Sequence, residues 1–442
     1  MRKWTLRAPD NFIPERRYVS DYVLSEYFGL QYEYILDRSL SDTYILTSDH
    51  NEIIFTDAFF AGKDERVGYL DKENIPSEVK FVQNKFTPEN DIPLIFGTDD
   101  CRVEQQKIYC GNDLFASIFF MLSRWEEAVI NQLDYLERFP AHESLAVKGC
   151  FLHRPVVNEW LQMLRNMLLH LEPSITFNQK SKFEIVFTHD IDLLNKPVSV
   201  REFAKDVLKR RSIHALLTRF GYGIGKQNPY DLFDYFMDIS ESQGTVSRFY
   251  FMTGHNIPYK DGEDYNRSEV YKTGLKKIRE RGHVIGFHPS LLTYNNAEMF
   301  RQEKEQLERD CGMKVTEGRQ HALRFKMPDT WRIWNDNGME VDSTLGYSAQ
   351  EGFRCGTGDT FPTFDVHGRK PLKLKEMPLV VMDTTIHVNR RLSVEESEKT
   401  FNHYIATGKK YNMPVTFLFH NLIHERIDWP QWKHLYEKMF SS

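Results

Sequence analysis

The feature that most constrains the fold is an alternation of apolar strands and helical segments that starts at residue 183. Short apolar runs predict strands, and longer segments with apolar residues at helical spacing predict helices. In chain order these segments are FEIVFTHD, NPYDLFDYFMDISESQ, SRFYFMTG, SEVYKTGLKKIRERG, HVIGFHPS, NNAEMFRQEKEQLERDCG, TWRIWNDNG and PVTFLFHN. Their order predicts parallel strands joined by crossover helices, in either an open α/β sheet or a barrel.

The first part of the chain has a different pattern. Two short strands, TYILTSD and NEIIFTDAFF, are followed by two helices, NDLFASIFFMLSRWEEAVI and RPVVNEWLQMLRNMLLHL. The polar stretch EPSITFNQKSK, residues 172–182, predicts a boundary. Because 442 residues are more than one core usually serves, we predict a smaller α+β domain at residues 1–175 and an α/β domain at residues 176–442.

Charge and composition argue against several classes of protein. The net charge of −6 provides no general attraction to nucleic acid or to anionic membranes. The five cysteines include no CxxC pair, which is typical of reduced thiols rather than of a disulfide scaffold. No segment approaches the about 20 apolar residues of a membrane span, and the first residues do not resemble a secretory signal. We therefore expect a cytoplasmic protein with no membrane span and no nucleic-acid partner, and leave its oligomeric state open.

Polar side chains cluster where the predicted strands of the second part end. They come in three pairs, Asp190 and Asp192, His288 and Ser290, and His420 and Asn421. The carboxyl ends of parallel strands meet at one edge of a sheet, where sites in α/β folds collect. The pattern therefore predicts a functional site built from these strand ends.

The segment FTHDID ends the first of these strands with two carboxylates. Side chains alternate along a strand, so Thr188, Asp190 and Asp192 share a face if the extended form continues. Carboxylates this close repel each other unless one takes up a proton or a cation lies beside them. One interpretation is a divalent metal site, with one aspartate as ligand and the other as base. The alternative is a pair of solvated carboxylates or a helix cap.

Histidines follow two other strands. His288 lies at the carboxyl end of HVIGFHPS and is a candidate metal ligand, whereas His283 begins that strand and has a structural role in this interpretation. His420 could hold a substrate oxygen or donate a proton to a leaving group. His420 and His424 would form a zinc pair only if a helix began at once after the strand.

The segment EGRQHALRF contributes an arginine and another histidine. On a strand, Arg319 and His321 would share a face. An arginine beside Asp190 would keep that carboxylate ionised. The alternative for Arg319 is an ion pair on the surface.

Taken together, these segments resemble the NodB-type polysaccharide deacetylases of carbohydrate esterase family four, over about residues 183–425. Six segments follow the order of that family, namely FTHDID, SRFYFM, LKKIRERGHVIGFH, GRQHALRFKMPDTWRIWNDNGMEVDST, LKEMP and FLFHN. The resemblance implies a distorted (β/α) barrel of the NodB deacetylase type, preceded by the smaller α+β domain.

The resemblance also implies a role for each matching residue. Asp190 would be the catalytic base, Arg319 would orient it, and His420 would protonate the departing amine. Asp192 and His288 would bind a divalent metal, with Zn²⁺ as the expected ion.

The sequence departs from the family pattern at the metal site. The family has two histidines four residues apart, and Leu292 occupies the second of these positions here. His321 could replace the missing ligand, as could Ser290. Asp342 and Glu376 are candidates for supporting positions behind the site.

The activity implied by the resemblance is metal-dependent hydrolysis of an N-acetyl group, with an N-acetylated carbohydrate as substrate. The alternatives are a non-catalytic carbohydrate-binding protein, which Leu292 favours, a metal-dependent amidohydrolase for a small non-sugar amide, and a glycosidase. The N-terminal part resembles an uncharacterised domain that precedes such deacetylases in surface-polysaccharide gene contexts.

Overall fold

The computed structural model describes residues 3–66, 68–178, 181–194, 228–254, 268–423 and 429–440. Within these residues the chain forms a six-stranded sheet, a nine-stranded sheet and a two-stranded ribbon. In this described part, no helix combines the length and the apolar character that crossing a membrane requires.

The first part of the chain contains eight described strands. They are β1 Trp4–Ala8, β2 Tyr32–Leu36, β3 Thr43–Ser48, β4 Asn51–Thr56, β5 Lys80–Val82, β6 Ile92–Leu94, β7 Gly97–Glu104 and β8 Lys107–Asn112. Six of them form a mixed sheet in the order β2-β1-β3-β4-β8-β7, while β5 pairs with β6. The predicted pair of strands around a polar turn is confirmed as β3 and β4, whose alternate residues face the core.

The described residues of the first part also form five α-helices. They are α1 Ile13–Ser20, α2 Leu114–Ser123, α3 Trp125–Val129, α4 Leu145–Lys148 and α5 Val156–Leu171. The Asp113 side chain caps α2 by accepting from the backbone N–H of Ala116 at 3.0 Å. The prediction of one helix through this region is wrong, because Arg124 adopts a left-handed φ of 53° and separates α2 from α3. The buried guanidinium of Arg124 forms ion pairs with Glu126 and Glu127 in the first turn of α3.

The second part contributes nine described strands to one sheet. They are β9 Ile185–Ile191, β10 Ser247–Phe251, β11 Val284–Phe287, β12 Glu317–Gly318, β13 Val341–Asp342, β14 Phe361–Asp365, β15 Lys370–Glu376, β16 Leu379–Met382 and β17 Val415–Leu418. Their order is β14-β15-β13-β12-β11-β10-β9-β17-β16, and every pair is parallel except β14 with β15. The central strands β9 and β17 are buried along their whole length, as expected for a parallel sheet covered by helices.

The second part has six described α-helices, of which the sequence predicts the first four and leaves out the last two. In the described residues they are α6 Phe233–Ser242, α7 Glu269–Glu280, α8 Ala297–Cys311, α9 Asp329–Asp336, α10 Val394–Tyr411 and α11 Trp429–Phe440. The predicted end of α7 at Gly282 is confirmed, because this residue has a φ of 76° that side chains with a Cβ disfavour. Ser393 and Glu396 form a capping box at the start of α10.

The nine-stranded sheet curls. Arg319 follows β12 and contacts Asp190 on β9, although two strands lie between them and a flat sheet would separate these ends by about 14 Å. Strands β14 and β16 form the two edges of the described sheet. The prediction of an α/β fold with a mainly parallel sheet is therefore confirmed, whereas a complete closed barrel is not established.

Both parts of the chain share one apolar core. The main cluster of buried apolar side chains runs from Trp4 in β1 to Phe440 in α11. Helices α1 and α2 of the first part contact β15 and β14 of the second, and the Tyr18 hydroxyl donates to the backbone oxygen of Pro362 at 2.6 Å. The domain boundary near residue 175 stays a prediction.

Candidate functional site

Three strand ends meet at one cleft of about 730 Å³. Asp190 lies on β9, and Asp192 follows that strand directly. His288 directly follows β11, and His420 lies two residues beyond β17. These four side chains line the cleft together with His321. The structure thus brings together four of the six residues that the strand-end pattern singled out, because carboxyl ends of parallel strands share one edge.

Asp192, His288 and His321 form the group that could hold a metal ion. Their potential ligand atoms all lie within 4.8 Å of one another. His288 Nε2 lies 3.4 Å from Asp192 Oδ1 and 3.8 Å from Asp190 Oδ2. The rings of His288 and His321 have centroids 5.1 Å apart. Two imidazoles and a carboxylate are a donor set that zinc hydrolases use.

A backbone oxygen determines the tautomer of His288. His288 Nδ1 lies 2.7 Å from the backbone oxygen of Arg319, which can only accept, so Nδ1 carries the proton. In the neutral ring, Nε2 then presents its lone pair to Asp192. Among the described residues, neither His288 Nε2 nor Asp192 Oδ1 has an aligned hydrogen-bond partner. A lone pair facing a carboxylate is unfavourable unless a proton or a cation lies between them, so the donor set fits a cation.

His321 reaches this group from a turn and not from a strand. The prediction that Arg319 and His321 share a strand face is wrong, because β12 ends at Gly318 and a 3₁₀ turn spans His321–Leu323. The chain leaves the sheet where the backbone N–H of Gln320 donates to Thr344 Oγ1 at 3.0 Å. The turn then directs the His321 imidazole toward His288.

Arg319 is held rigidly behind Asp190. It has 0% exposure, which rules out the alternative of a surface ion pair. Its Nη1 donates to Asp190 Oδ1 at 2.9 Å and to Thr188 Oγ1 at 3.0 Å. Its Nε and Nη2 donate to the backbone oxygen and hydroxyl of Ser343, both at 2.8 Å. These bonds fix the Asp190 carboxylate in one orientation, with Oδ2 toward His288.

His420 is paired with a carboxylate that the sequence analysis missed. Asp383 directly follows β16, and its Oδ1 accepts from His420 Nδ1 at 2.7 Å, while its Oδ2 accepts from the His420 backbone N–H at 2.6 Å. Burial lowers the pKa of this imidazole, but Asp383 first, and then Asp192 and Asp190, raise it to about 9. The apolar run LVVM before Asp383 matches the strand-end rule that identified Asp190 and could have found it.

The carboxylates around His288 favour a cation at this position. Asp190, Asp192 and Asp383 place three carboxylates around this group, and Arg319 and His420 contact two of them. Burial raises the pKa of Asp192, but contact with His288 and the nearby imidazoles outweighs burial and holds the pKa well below its usual range. The carboxylates of Asp190 and Asp192 lie 3.8 and 3.4 Å from His288 Nε2 and favour a divalent ion at that position.

Asp342 and Glu376 support the site from the neighbouring strands, in register with each other on β13 and β15. Burial raises the pKa of Asp342 to about 7, and burial together with Asp342 raises the pKa of Glu376 well above its usual range. Asp342 accepts from the backbone of Thr344, and Glu376 accepts from the backbone of Leu345 at 2.8 Å. They therefore shape the loop whose first residue, Ser343, holds Arg319.

Other candidates have structural partners. Ser290 donates to Glu303 at 2.5 Å, so its hydroxyl is engaged away from the metal group. His283 accepts from the backbone N–H of Ser247 at 2.9 Å, in agreement with its predicted structural role. Asn421 donates to the backbone oxygens of Leu193 and Tyr230. His424, the other half of the possible zinc pair, lies outside the described residues.

The first part of the chain forms one wall of the cleft through Tyr135, Leu136 and Arg138. Tyr135 has 88% exposure and presents an aromatic face beside the site. Arg391 and Asn389 line the cleft after β16. The cleft is therefore shaped by both parts of the chain.

This chain shows limited similarity to known proteins, with one match to a domain family and one to a solved structure. Residues 5–173 match a domain family of unknown function, DUF7033. No curated protein matches the chain. Among solved structures, a protein from Mycobacterium smegmatis described as a proposed polysaccharide deacetylase aligns with 13% identity and a TM-score of 0.39, covering 60% of this chain and 87% of its own. Neither comparison assigns an activity, and the function rests on the geometry of the site.

Proposed function

We propose that this protein is a divalent-metal-dependent hydrolase that removes an N-acetyl group from a carbohydrate. The observation that carries the proposal is the presence of both proton carriers in one cleft. Asp190 can accept a proton, and His420, with a pKa of about 9, holds one at neutral pH. A binding protein needs neither group, whereas hydrolysis of an amide needs a base for water and an acid for the amine.

Asp192, His288 and His321 would hold the metal ion, and Zn²⁺ is the ion that we propose. His321 would replace the second histidine that the NodB-type pattern has at the position of Leu292. When bound, such a cation polarises a carbonyl group and makes a neighbouring water more acidic. The orientation of His288 by the Arg319 backbone is the kind of support that ligating imidazoles have in metalloproteins.

The protein side chains then divide the proton transfers. Asp190 takes a proton from the attacking water, whose oxygen forms the new bond to the acetyl carbon. Arg319 keeps the carboxylate in place for this step through its bond to Oδ1. His420 gives its Nε2 proton to the nitrogen as the C–N bond breaks, because Asp383 engages the other ring nitrogen. Acetate and an amine leave.

A sugar substrate is favoured by the shape and lining of the cleft. An opening of about 730 Å³ accommodates one or two sugar rings. Tyr135 supplies an exposed aromatic face on which a sugar ring can stack. The order of the six NodB-like segments supports the same substrate class, and we propose that the curled sheet is a distorted barrel of that type. A cytoplasmic location stays a prediction.

We expect the purified protein to contain about one zinc ion per chain and to release acetate from N-acetylated oligosaccharides or nucleotide sugars. In Asp190→Asn, kcat should fall by about 10²–10⁴-fold, the range for loss of a general base. The variant should keep its zinc and its circular dichroism spectrum, because Asp190 is not one of the three proposed ligands. Elemental analysis measures the zinc content, and an acetate assay measures kcat.

His288→Ala is the matched control, since it should lose the metal ion as well as the activity. Acetate release by Asp190→Asn at the wild-type rate would refute the role of the base. Zinc in the unaltered protein, with no acetate from any N-acetylated glycan, would instead favour the carbohydrate-binding alternative.

A further inference from the structure

The turn that carries His321 has a costly backbone conformation. Ala322 and Leu323 have φ values of 57° and 54°, in the left-handed region. Residues with a Cβ avoid this region because the Cβ approaches the following carbonyl oxygen. Two such residues in succession need contacts from outside the turn to hold them. Those contacts determine where the His321 imidazole lies.

One of these contacts comes from the first part of the chain. Arg138 Nη1 donates to the backbone oxygen of Ala322 at 2.7 Å, across 184 residues of sequence. Asp134 holds Arg138 in turn, because its Oδ2 accepts from Arg138 Nε at 2.8 Å. Asp134 Oδ1 also accepts from the backbone N–H groups of Leu136 and Arg138, at 2.9 and 3.0 Å. These hydrogen bonds within residues 134–138 hold the loop in one conformation, from which Arg138 contacts the turn of His321.

A second contact from the first part of the chain holds Arg324, which directly follows the turn. Glu137 Oε2 accepts from Arg324 Nη2 at 2.6 Å and also from the Tyr294 hydroxyl. The Arg324 guanidinium lies 3.9 Å from the centre of the Tyr294 ring. The contacts at Ala322 and Arg324 thus fall one and three residues after His321.

We propose that residues 134–138, here called the clamp segment, are a positioning element for the metal ligand His321. Through this segment the first part of the chain sets the metal affinity of a site that lies in the second part. The inference rests on the proposed metal group, and it gives the N-terminal part a role in the chemistry. Arg138 and Glu137 act through the backbone and flank of the turn and are not catalytic residues.

The test compares Arg138→Ala, Glu137→Gln and the double variant with the full-length protein. Zinc affinity is measured by competition with a chromogenic chelator, and ligand geometry by the visible absorption of the Co²⁺-substituted protein. Loss of support behind a metal ligand weakens affinity by about 10–100-fold, and we expect this range for Arg138→Ala. The Co²⁺ spectrum should change toward that of His321→Ala, which lacks the ligand itself.

Two further variants separate positioning from a general loss of stability. Arg138→Lys keeps a donor for Ala322 and should recover part of the affinity. Arg66→Ala removes the same charge from an exposed ion pair with Asp64 and should leave affinity and spectrum unchanged. If Arg138→Ala does not fold, Glu137→Gln gives the same readouts with a smaller change.

Hydrogen exchange provides a readout that needs no metal. Peptides that cover residues 319–325 should exchange faster in Arg138→Ala, while peptides from β9 should not. Wild-type zinc affinity and Co²⁺ spectra in all clamp variants would overturn the inference and leave the proposed function intact. Absence of zinc binding by the unaltered protein would contradict the metal site itself, and the inference with it.

Discussion

At the scale of single residues, two histidines in this protein have pKa values shifted in opposite directions. Burial lowers the pKa of His189 to about 3, and the partners of its ring nitrogens in the described part of the chain are the Phe419 backbone oxygen and the Ser247 hydroxyl. His420 is also enclosed, but Asp383 and the neighbouring aspartates raise its pKa to about 9. The carboxylate partner therefore decides which histidine carries a proton at neutral pH.

Replacing Asp383 with Asn should move the pH dependence of the reaction. His420 acts in its protonated form, so activity should fall as pH rises through about 9. Without the carboxylate, its pKa should return toward the ordinary value of about 6.5, and the alkaline limb of kcat should shift to lower pH. Acetate release measured from pH 5 to 10 checks this, with Asp329→Asn at an exposed ion pair as control. An unmoved alkaline limb would contradict the assignment of His420 as the acid.

At the scale of elements, a very short strand positions two residues of the site. Strand β12 has two residues, yet Arg319 beyond it donates its backbone N–H to the Phe287 oxygen at 3.0 Å and accepts from His288 Nδ1 with its own oxygen. This close pairing needs a glycine, because a Cβ at Gly318 would lie 1.9 Å from the Phe287 oxygen. The pairing of β11 with β12 thus fixes the position of His288 relative to Arg319.

Gly318→Ala should therefore lower both stability and activity. The added methyl group meets backbone and not a flexible side chain, so we expect a loss of about 3 kcal/mol, at the upper end of overpacking effects. Urea unfolding and the acetate assay measure the two effects. Gly244→Ala is the control, since its φ is 68° with open space around the Cβ, and it should cost about 1–2 kcal/mol without loss of kcat. Full activity in Gly318→Ala would show that the strand pair tolerates displacement.

At the scale of the whole molecule, buried charges connect the two parts of the chain. Arg354 donates to Glu127 Oε1 at 3.0 Å and to Oε2 at 2.5 Å, and Arg124 donates to the same carboxylate at 2.9 Å. All three side chains are at most 3% exposed. Arg354 also donates to the backbone oxygen of Gly346 at 2.7 Å. Such a network fixes one arrangement of the parts, because separating them would leave charges without partners in an apolar surrounding.

Arg354→Ala should destabilise the protein by about 3–5 kcal/mol, the usual effect of removing one partner from a buried pair. Lys410→Ala is a matched control, because Lys410 also pairs across the two parts, with Glu89, but is 55% exposed. That change should cost at most about 1 kcal/mol. Urea unfolding followed by tryptophan fluorescence measures both variants. Equal effects of the two substitutions would indicate that the buried network does not hold the parts together.

The sequence by itself determined six of the seventeen described strands, part of the α-helices and much of the candidate site. Apolar periodicity and caps mark strands such as β9 and helices such as α7, because these signals are local. The clustering of Asp190, His288 and His420 followed from one rule, that parallel strands end at the same edge of their sheet. The roles of these residues stay proposals.

Only the tertiary structure decided the contacts that depend on the curl of the sheet and on distant loops. His321 joins the metal group from a turn whose backbone is held by residues 134–138, far away in the sequence. Asp383 meets His420 because β16 and β17 are neighbours, although 37 residues separate the two side chains along the chain. Local patterns carry no information on such pairs, since which segments become neighbours is set by the packing of the whole molecule.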